Sequence, residues 1–420
     1  MPEAQPAANF LLSPYRVLDL SDERGLLCGK MLADLGADVV QVEPPGGSTA
    51  RSLGPFYQDD VHPEKSLFWW AYTANKRGIT LNLHTTDGRD LFHRLLKEAH
   101  FLIESFSPGY LDGLGLGYHD LEAINPGLVM VSITAFGQDG PYAHYEAPDI
   151  VGLATGGLLY LTGDSDRPPV RVGFPNFYLH GAAAGAGGAM LAHTHRALTG
   201  EGQHVDVSCQ QAVARALANS PQTWDIDGAV VKRMGVFRQA SKDTWVRTTW
   251  RCKDGYVNYM LQGGSTAGST RSMLAWMDEE GMGDEELKAI NWEEMGFGQA
   301  SPELLARAEA PVNRFFMSHT KEELTQESFK RRIFLSPVAT HGDIMDHPQL
   351  KAREYFKELY HLEIDASVTH PGVFVRTEGE SLVGLGRRPP LIGEHNREIY
   401  HDELGITLEE LAALREGGVI

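Results

Sequence analysis

Seventeen histidines and the run G-A-A-A-G-A-G-G (Gly181 to Gly188) are the chain's most conspicuous chemical material. Neither builds a familiar centre. His193 and His195 are two residues apart and point to different faces of a helix, and no H-x-x-x-H with a nearby acid occurs, so no metal site is expected. The glycine run lacks the Gly-Lys-Ser/Thr ending of a phosphate loop and reads as close helix packing through small residues, although a helix N-terminus there would still face an anion. Asn75-Lys76-Arg77 follow the aromatic Phe68-Trp69-Trp70. Two cations beside aromatic rings suit an adenine and phosphate site, or else form a solvated turn before a strand. Gln262 to Gly268 (Q-G-G-S-T-A-G) is a plain loop, or one whose glycines let backbone approach a ligand. The stretch Val170 to Gly188 reads as the mouth of a site, running through a turn at Pro175 into a helix start. Yet no Asp or Glu lies between Asp166 and Glu201.

The elements that must carry these residues alternate. Val17 to Leu20 is a buried strand. A helix with apolar spacing at Leu26, Leu27, Met31, Leu32 and Leu35 follows, with Gly36 past its end, and then a second strand, D-V-V-Q-V-E. That is a β-α-β unit and requires a parallel sheet. G-I-T-L-N-L, H-F-L-I-E-S-F and G-L-V-M-V-S-I-T-A-F are further strands, and D-G-R-D-L-F-H-R-L-L-K-E-A is an amphipathic helix. The fold class is α/β, with a Rossmann-like large domain. The first β-α turn, S-D-E-R-G-L-L-C-G, falls short of the three-glycine dinucleotide fingerprint, so a nicotinamide or flavin site is not expected.

At 420 residues two domains are the natural expectation. The boundaries read as 1–205 for the first part of the large domain, 206–224 for a linker helix, 225–335 for a small α+β domain, 336–379 for a second linker, and 380–420 for a return to the large domain. A net charge of -19 argues against nonspecific binding to nucleic acid or an anionic membrane. Cys28, Cys209 and Cys252 form no metal-spaced pair and read as reduced thiols. With no basic-then-apolar leader at the start and no bilayer-length apolar run, a cytoplasmic location is expected.

Taken in order, the segments resemble the family III CoA-transferases, the group that includes formyl-CoA transferase, carnitine CoA-transferase and α-methylacyl-CoA racemase. The matching residues are V-L-D-L at 17–20, L-A-D-L-G-A-D-V-V-Q-V-E-P-P at 32–45, N-K-R at 75–77 and L-I-E-S-F-S-P-G at 102–109. They continue through L-G-L at 114–116, N-P-G-L-V at 125–129, F-G-Q-D-G-P at 136–141, T-G-E-G-Q at 199–203, K-D-G at 253–255 and L-I-G-E-H at 391–395. The resemblance implies a two-domain chain whose dimers interlock like linked rings, with each site between one subunit's large domain and the other's small domain. It also implies coenzyme A and acyl-CoA as substrates with no tightly bound cofactor. An aspartate attacks the thioester, and mixed-anhydride and enzyme–CoA thioester intermediates follow.

Against that pattern the chain departs at the nucleophile. Counting back from T-G-E-G-Q, the aspartate position falls at Tyr178, within one residue, and neither Phe177 nor Leu179 is an acid. A phenol is a poor nucleophile at neutral pH. The turn after the first strand, which carries Arg24 and Gly25, is E-R-G-L-L instead of the family's Ala-Gly-Pro-like turn. Gln41 replaces a lysine, and Ser105 replaces an asparagine before Phe106. Leu81, His84, Ser105 and Phe106, with Arg24 and Gly25, are the expected CoA-pocket residues. The racemase's His-Asp pair is also missing, since the chain reads Pro148-Asp149. Three explanations follow. The chain is the non-nucleophilic subunit of a heteromer, in which Gln262, Gly263 and Gly264 complete the site of an aspartate-bearing paralogue. In this it resembles the subunit of members that move CoA from succinyl-CoA to an aromatic succinate such as benzylsuccinate. Alternatively it is a CoA- or acyl-CoA-binding regulatory protein, or another carboxylate, Asp149 or Glu104, has taken over.

Overall fold

A computed structural model describes residues 10–239, 244–295, 301–378 and 384–420. These residues divide into two compact units. The large unit holds residues up to 156, 173–216 and 348–420. The small unit holds 157–172 and 217–347. The boundary expected at 379/380 lies outside the described residues.

In the large unit, six strands form a parallel sheet: β1 (Arg16–Asp19), β2 (Asp38–Glu43), β3 (Arg77–Thr80), β4 (Phe101–Glu104), β5 (Val129–Thr134) and β6 (Gln203–Ser208). The order is β3-β2-β1-β4-β5-β6. Both faces are covered, which is why β3, β4 and β5 are buried along their whole length and β4 and β5 read as largely apolar. Leu18, Val40, Ile79 and Leu102 pack on one face with Leu91, Phe92, Leu95 and Leu96 of helix Thr86–Leu96. That helix starts at Thr85, whose side chain accepts from Gly88 N. The strand anticipated as Gly78 to Leu83 ends at Thr80, where the chain turns away.

Helix Phe177–Thr199 contains the Gly181–Gly188 run, and small residues bring it against the sheet. A Cβ at Gly181 would sit 2.2 Å from Cys209 Sγ, and one at Gly188 2.6 Å from Val205 Cγ1. The packing reading of this run therefore holds. Gly187 on the same helix has open space around it. Gly187→Ala is expected to stabilise the isolated chain by about 1 kcal/mol through helix propensity. Gly181→Ala should destabilise it, because the overpacking term of roughly 1–3 kcal/mol exceeds that gain. Thermal unfolding of the two variants would show shifts of opposite sign, and equal shifts would contradict the packing.

The small unit is α+β. Strands Leu335–Pro337, Gly255–Tyr259 and Thr249–Cys252 form an antiparallel sheet in that order, against helices that include Ala267–Glu279 and Pro302–Ser318. Its core joins Trp250, Tyr259, Trp276, Phe315 and Phe316. Among the described residues, no helix is long and apolar enough to cross a membrane.

Candidate active site

β1 and β4 lie side by side at the middle of the sheet, and their following connections lead toward opposite edges. Such a switch point opens a crevice beyond the carboxyl ends of the strands. Two cavities occupy it. The larger, of about 750 Å³, is bordered by Asp22 to Arg24 after β1, Phe106 to Pro108 after β4, Ala143 to Asp149, and Tyr178. The smaller, of about 230 Å³, has Leu20, Val42 and Leu81 among its lining, with His84, Phe106 and Tyr110. Asp22, Thr49 and Phe106 border both, which makes them two compartments of one cleft.

The wall between the compartments is well braced. The Phe106 ring stacks on Tyr110 with centroids 4.5 Å apart, and the Tyr110 hydroxyl lies 3.1 Å from His84 Nε2. Arg24 grips its own loop, with Nε 2.9 Å from Asp22 Oδ1 and a terminal nitrogen 2.6 Å from Oδ2. Asp22 Oδ1 also accepts from Ser105 Oγ at 2.9 Å. Of the expected pocket residues, Arg24, Leu81, His84 and Phe106 therefore line the cleft. Ser105 stands behind the wall, buried, and ties the β4 end to the β1 loop. Gly25 faces neither cavity; a Cβ there would lie 2.5 Å from Ser21 Cβ, so it serves the close packing of the loop.

Tyr178 sits in the first turn of helix Phe177–Thr199 and borders the larger cavity. Its hydroxyl donates to the Ala147 carbonyl at 2.9 Å, and burial pushes its pKa up to about 12. It stays a protonated, satisfied phenol at neutral pH. Asp149 has a different task. Its Oδ1 accepts from Asn176 N at 2.7 Å and Phe177 N at 2.9 Å, so it caps a helix that carries no cap of its own. Glu104 ends β4, and its carboxylate accepts from Phe106 N at 2.7 Å. It borders a third cavity, of about 190 Å³, together with Ser132 and His204, and not the larger one.

The Asn75–Arg77 cations are not a ligand site. Lys76 is fully buried, with Nζ 2.7 Å from Asp19 Oδ2 and 2.9 Å from Gln41 Oε1. Arg77 is held by Asp38, Glu398 and Glu403. The neighbouring tryptophans are core: Trp69 and Trp70 are buried, and Trp69 carries the Arg51 guanidinium on its face. Gln262, Gly263 and Gly264 are anchored within the small unit. Gln262 N donates to Thr270 Oγ1 at 2.9 Å, Gly264 N donates to Trp292 O at 2.8 Å, and a Cβ on Gly263 would lie 2.1 Å from Met295 O. Among the described residues, no group of three or more side chains could hold a metal.

Sequence reasoning passed over Asp22 and Tyr110, and it named Asp149 as a candidate carboxylate without anticipating its capping bonds. Asp22 was visible as the acid of D-E-R, two residues before Arg24. Tyr110 has only its spacing of four from Phe106 as a signal.

The family model for CoA-transferase family III matches residues 12–396. The chain is 36% identical, over 97% of its length and 98% of the relative's, to the succinyl-CoA:(R)-benzylsuccinate CoA-transferase subunit BbsE of Thauera aromatica. It is 30% identical, over 97% and 98% of the two chains, to succinyl-CoA–D-citramalate CoA-transferase of Chloroflexus aurantiacus. The crystal structure of a CaiB/BaiF family protein from Brucella suis aligns with a TM-score of 0.80 at 30% identity, covering 94% of this chain and 99% of that one. A parallel sheet with its cleft at the switch point, matched over nearly its whole length, places this chain in the CoA-transferase family III.

Proposed function

We propose that this chain is the non-nucleophilic subunit of a heteromeric CoA-transferase that moves CoA from succinyl-CoA to a carboxylic acid of the aromatic-succinate class. The observation that carries the reading is the state of position 178. A half-buried phenol, bonded to Ala147 O, stands where the family pattern puts the attacking aspartate. The two nearby acids are engaged elsewhere, Asp149 as a helix cap and Glu104 behind β4. A relative that carries the word "subunit" in its name, and the succinyl-CoA in the names of several relatives, support the assignment.

The aspartate then belongs to a paralogous partner, in an interlocked ring-like dimer. That carboxylate attacks the thioester carbonyl, the C–S bond breaks and CoA thiolate leaves. The thiolate next attacks the aspartyl carbon of the mixed anhydride, releasing the donor acid and leaving an enzyme–CoA thioester. The acceptor carboxylate displaces CoA thiolate from that thioester, and the thiolate returns to the acceptor's acyl carbon, freeing the aspartate. This chain supplies the 262–264 loop to the partner's site. Its own cleft receives CoA beside Leu81, His84, Phe106 and Arg24. The buried free thiols Cys28, Cys209 and Cys252 suit a cytoplasmic location.

Expressed alone, the chain should show CoA transfer at least about a thousandfold below that of its mixture with the aspartate-bearing paralogue. Assays of each chain singly and mixed decide this. Full turnover by this chain alone would sink the proposal, and a mixture no faster than the paralogue alone would favour a regulatory CoA-binding role.

A further inference from the structure

The third cavity lies behind the β4 end of the cleft, and its polar groups are connected. Glu104, Ser132 and His204 project from β4, β5 and β6 on one face of the sheet, because Glu104 pairs with Ser132 and His204 with Met130, two residues earlier on β5. Ser132 stands beside Glu104 in register, where its hydroxyl favours the ionised carboxylate, and on the other side its Oγ lies 2.8 Å from His204 Nε2. The Tyr118 ring stacks on His204, with centroids 5.2 Å apart and planes at 16°. Glu104 and Ser132 are buried, yet both border the cavity, so protons can reach them.

We propose that Glu104, Ser132 and His204 form a reversible proton line that makes Glu104 a positioning residue for Phe106, so that the firmness of the wall shared by the two cleft compartments follows the proton on Glu104. With Glu104 ionised, His204 Nε2–H donates to Ser132 Oγ, and Ser132 O–H and Phe106 N–H both donate to the carboxylate. With Glu104 protonated, the line reverses. The carboxyl O–H donates to Ser132 Oγ, Ser132 O–H donates to His204 Nε2 in its other tautomer, and the Phe106 amide keeps only a neutral acceptor. One proton is taken from solvent, and the heavy atoms need not move. Charge-assisted hydrogen bonds are roughly twice as strong as neutral ones, so the Phe106 anchor weakens on protonation.

The surrounding groups place this exchange near neutral pH. Burial raises the Glu104 pKa to about 7, offset in part by the bonds from Ser132 and the Phe106 amide. Arg24 on the β1 side favours the ionised form and Asp22 opposes it. Asp112 and His119 line the same cavity, and Asp206 on β6 accepts from Gln138 N at 3.1 Å. Burial lowers the His204 pKa, which keeps the ring neutral and both tautomers usable.

The test needs two readings on the full chain. In protein labelled with ¹⁵N-phenylalanine, the Phe106 amide should titrate with a midpoint near 7. Glu104→Gln should abolish that titration, and Ser132→Ala should move its midpoint upward by removing a donor to the charged form. A Phe106 amide that is flat between about pH 5.5 and 8.5, or one that titrates identically in Glu104→Gln, would overturn the inference. If the glutamine variant does not fold, the native titration and Ser132→Ala decide alone. The second reading, calorimetry with CoA, rests on the cleft being a CoA site. Affinity should fall about threefold to tenfold from pH 8 to pH 6 in the native chain. Equal affinity at both pH values with a titrating amide would overturn the link to ligand binding. A titrating amide with no CoA binding at any pH would count against the CoA site and leave the proton line standing.

Discussion

Lys76→Met lowers the unfolding free energy of the large unit by about 3–5 kcal/mol. The ammonium group lies at 0% exposure among Asp19 Oδ2, Gln41 Oε1 and Leu26 O, at 2.7, 2.9 and 3.0 Å. Asp19 is equally buried, and its other oxygen already accepts from Ser21 N and Ser21 Oγ. Removing the lysine leaves a carboxylate with no counter-charge and no room for water. A Cβ on Gly29 would already meet Asp19 Oδ2 at 2.0 Å. The cost belongs to the orphaned charge and not to the pair. Replacing both partners, as Asp19→Asn with Lys76→Met, should therefore recover much of the loss. Denaturant titration followed by tryptophan fluorescence measures both, since Trp69 and Trp70 report on this unit. A single variant costing under about 1 kcal/mol would show that the pair is solvated in solution.

The second large effect is chemical and all-or-none. When the mixed enzyme is given succinyl-CoA and hydroxylamine, the trapped hydroxamate should appear on the partner's aspartate and on no residue of this chain. Asp149→Asn sharpens the result. The amide oxygen can still accept from Asn176 N and Phe177 N, so turnover should stay within about threefold while the weaker cap costs about 1 kcal/mol of stability. A nucleophilic carboxylate lost in the same way would remove at least about four orders of magnitude of rate. Label found on Asp149 or Glu104 would reassign the chemistry to this subunit.

Much of the large unit was legible in the chain itself. The β1–helix–β2 passage was readable because its two periodicities, runs of buried residues and then i, i+3, i+4 spacing, are set by local geometry. The Gly181–Gly188 run was readable because close packing needs small residues wherever the partner lies. What stayed hidden depends on distance along the chain. Nothing near Asn75–Arg77 reveals that Asp19, 57 residues from Lys76, and Glu398, 321 residues from Arg77, would absorb both cations. Asp149 looked like a displaced nucleophile because an acid was missing nearby, whereas its partners are backbone amides, which no side-chain pattern announces. The Glu104–Ser132–His204 contact is invisible for the same reason: it exists only once β4, β5 and β6 are laid in register.

β3 is the edge strand of the sheet, and a segment made some 317 residues later closes it. Gly78 N donates to His395 Nδ1, His395 N donates to Gly78 O, and the Tyr400 hydroxyl donates to Thr80 O. These residues are separated by 317 positions between Gly78 and His395. At roughly 5–20 residues per second, a ribosome leaves that edge bare for about 16–60 s after β3 has emerged. An uncovered edge is a template for pairing with any strand nearby. Until residues 395–400 arrive, that edge of the nascent chain is open to chaperones and to neighbouring polypeptides alike.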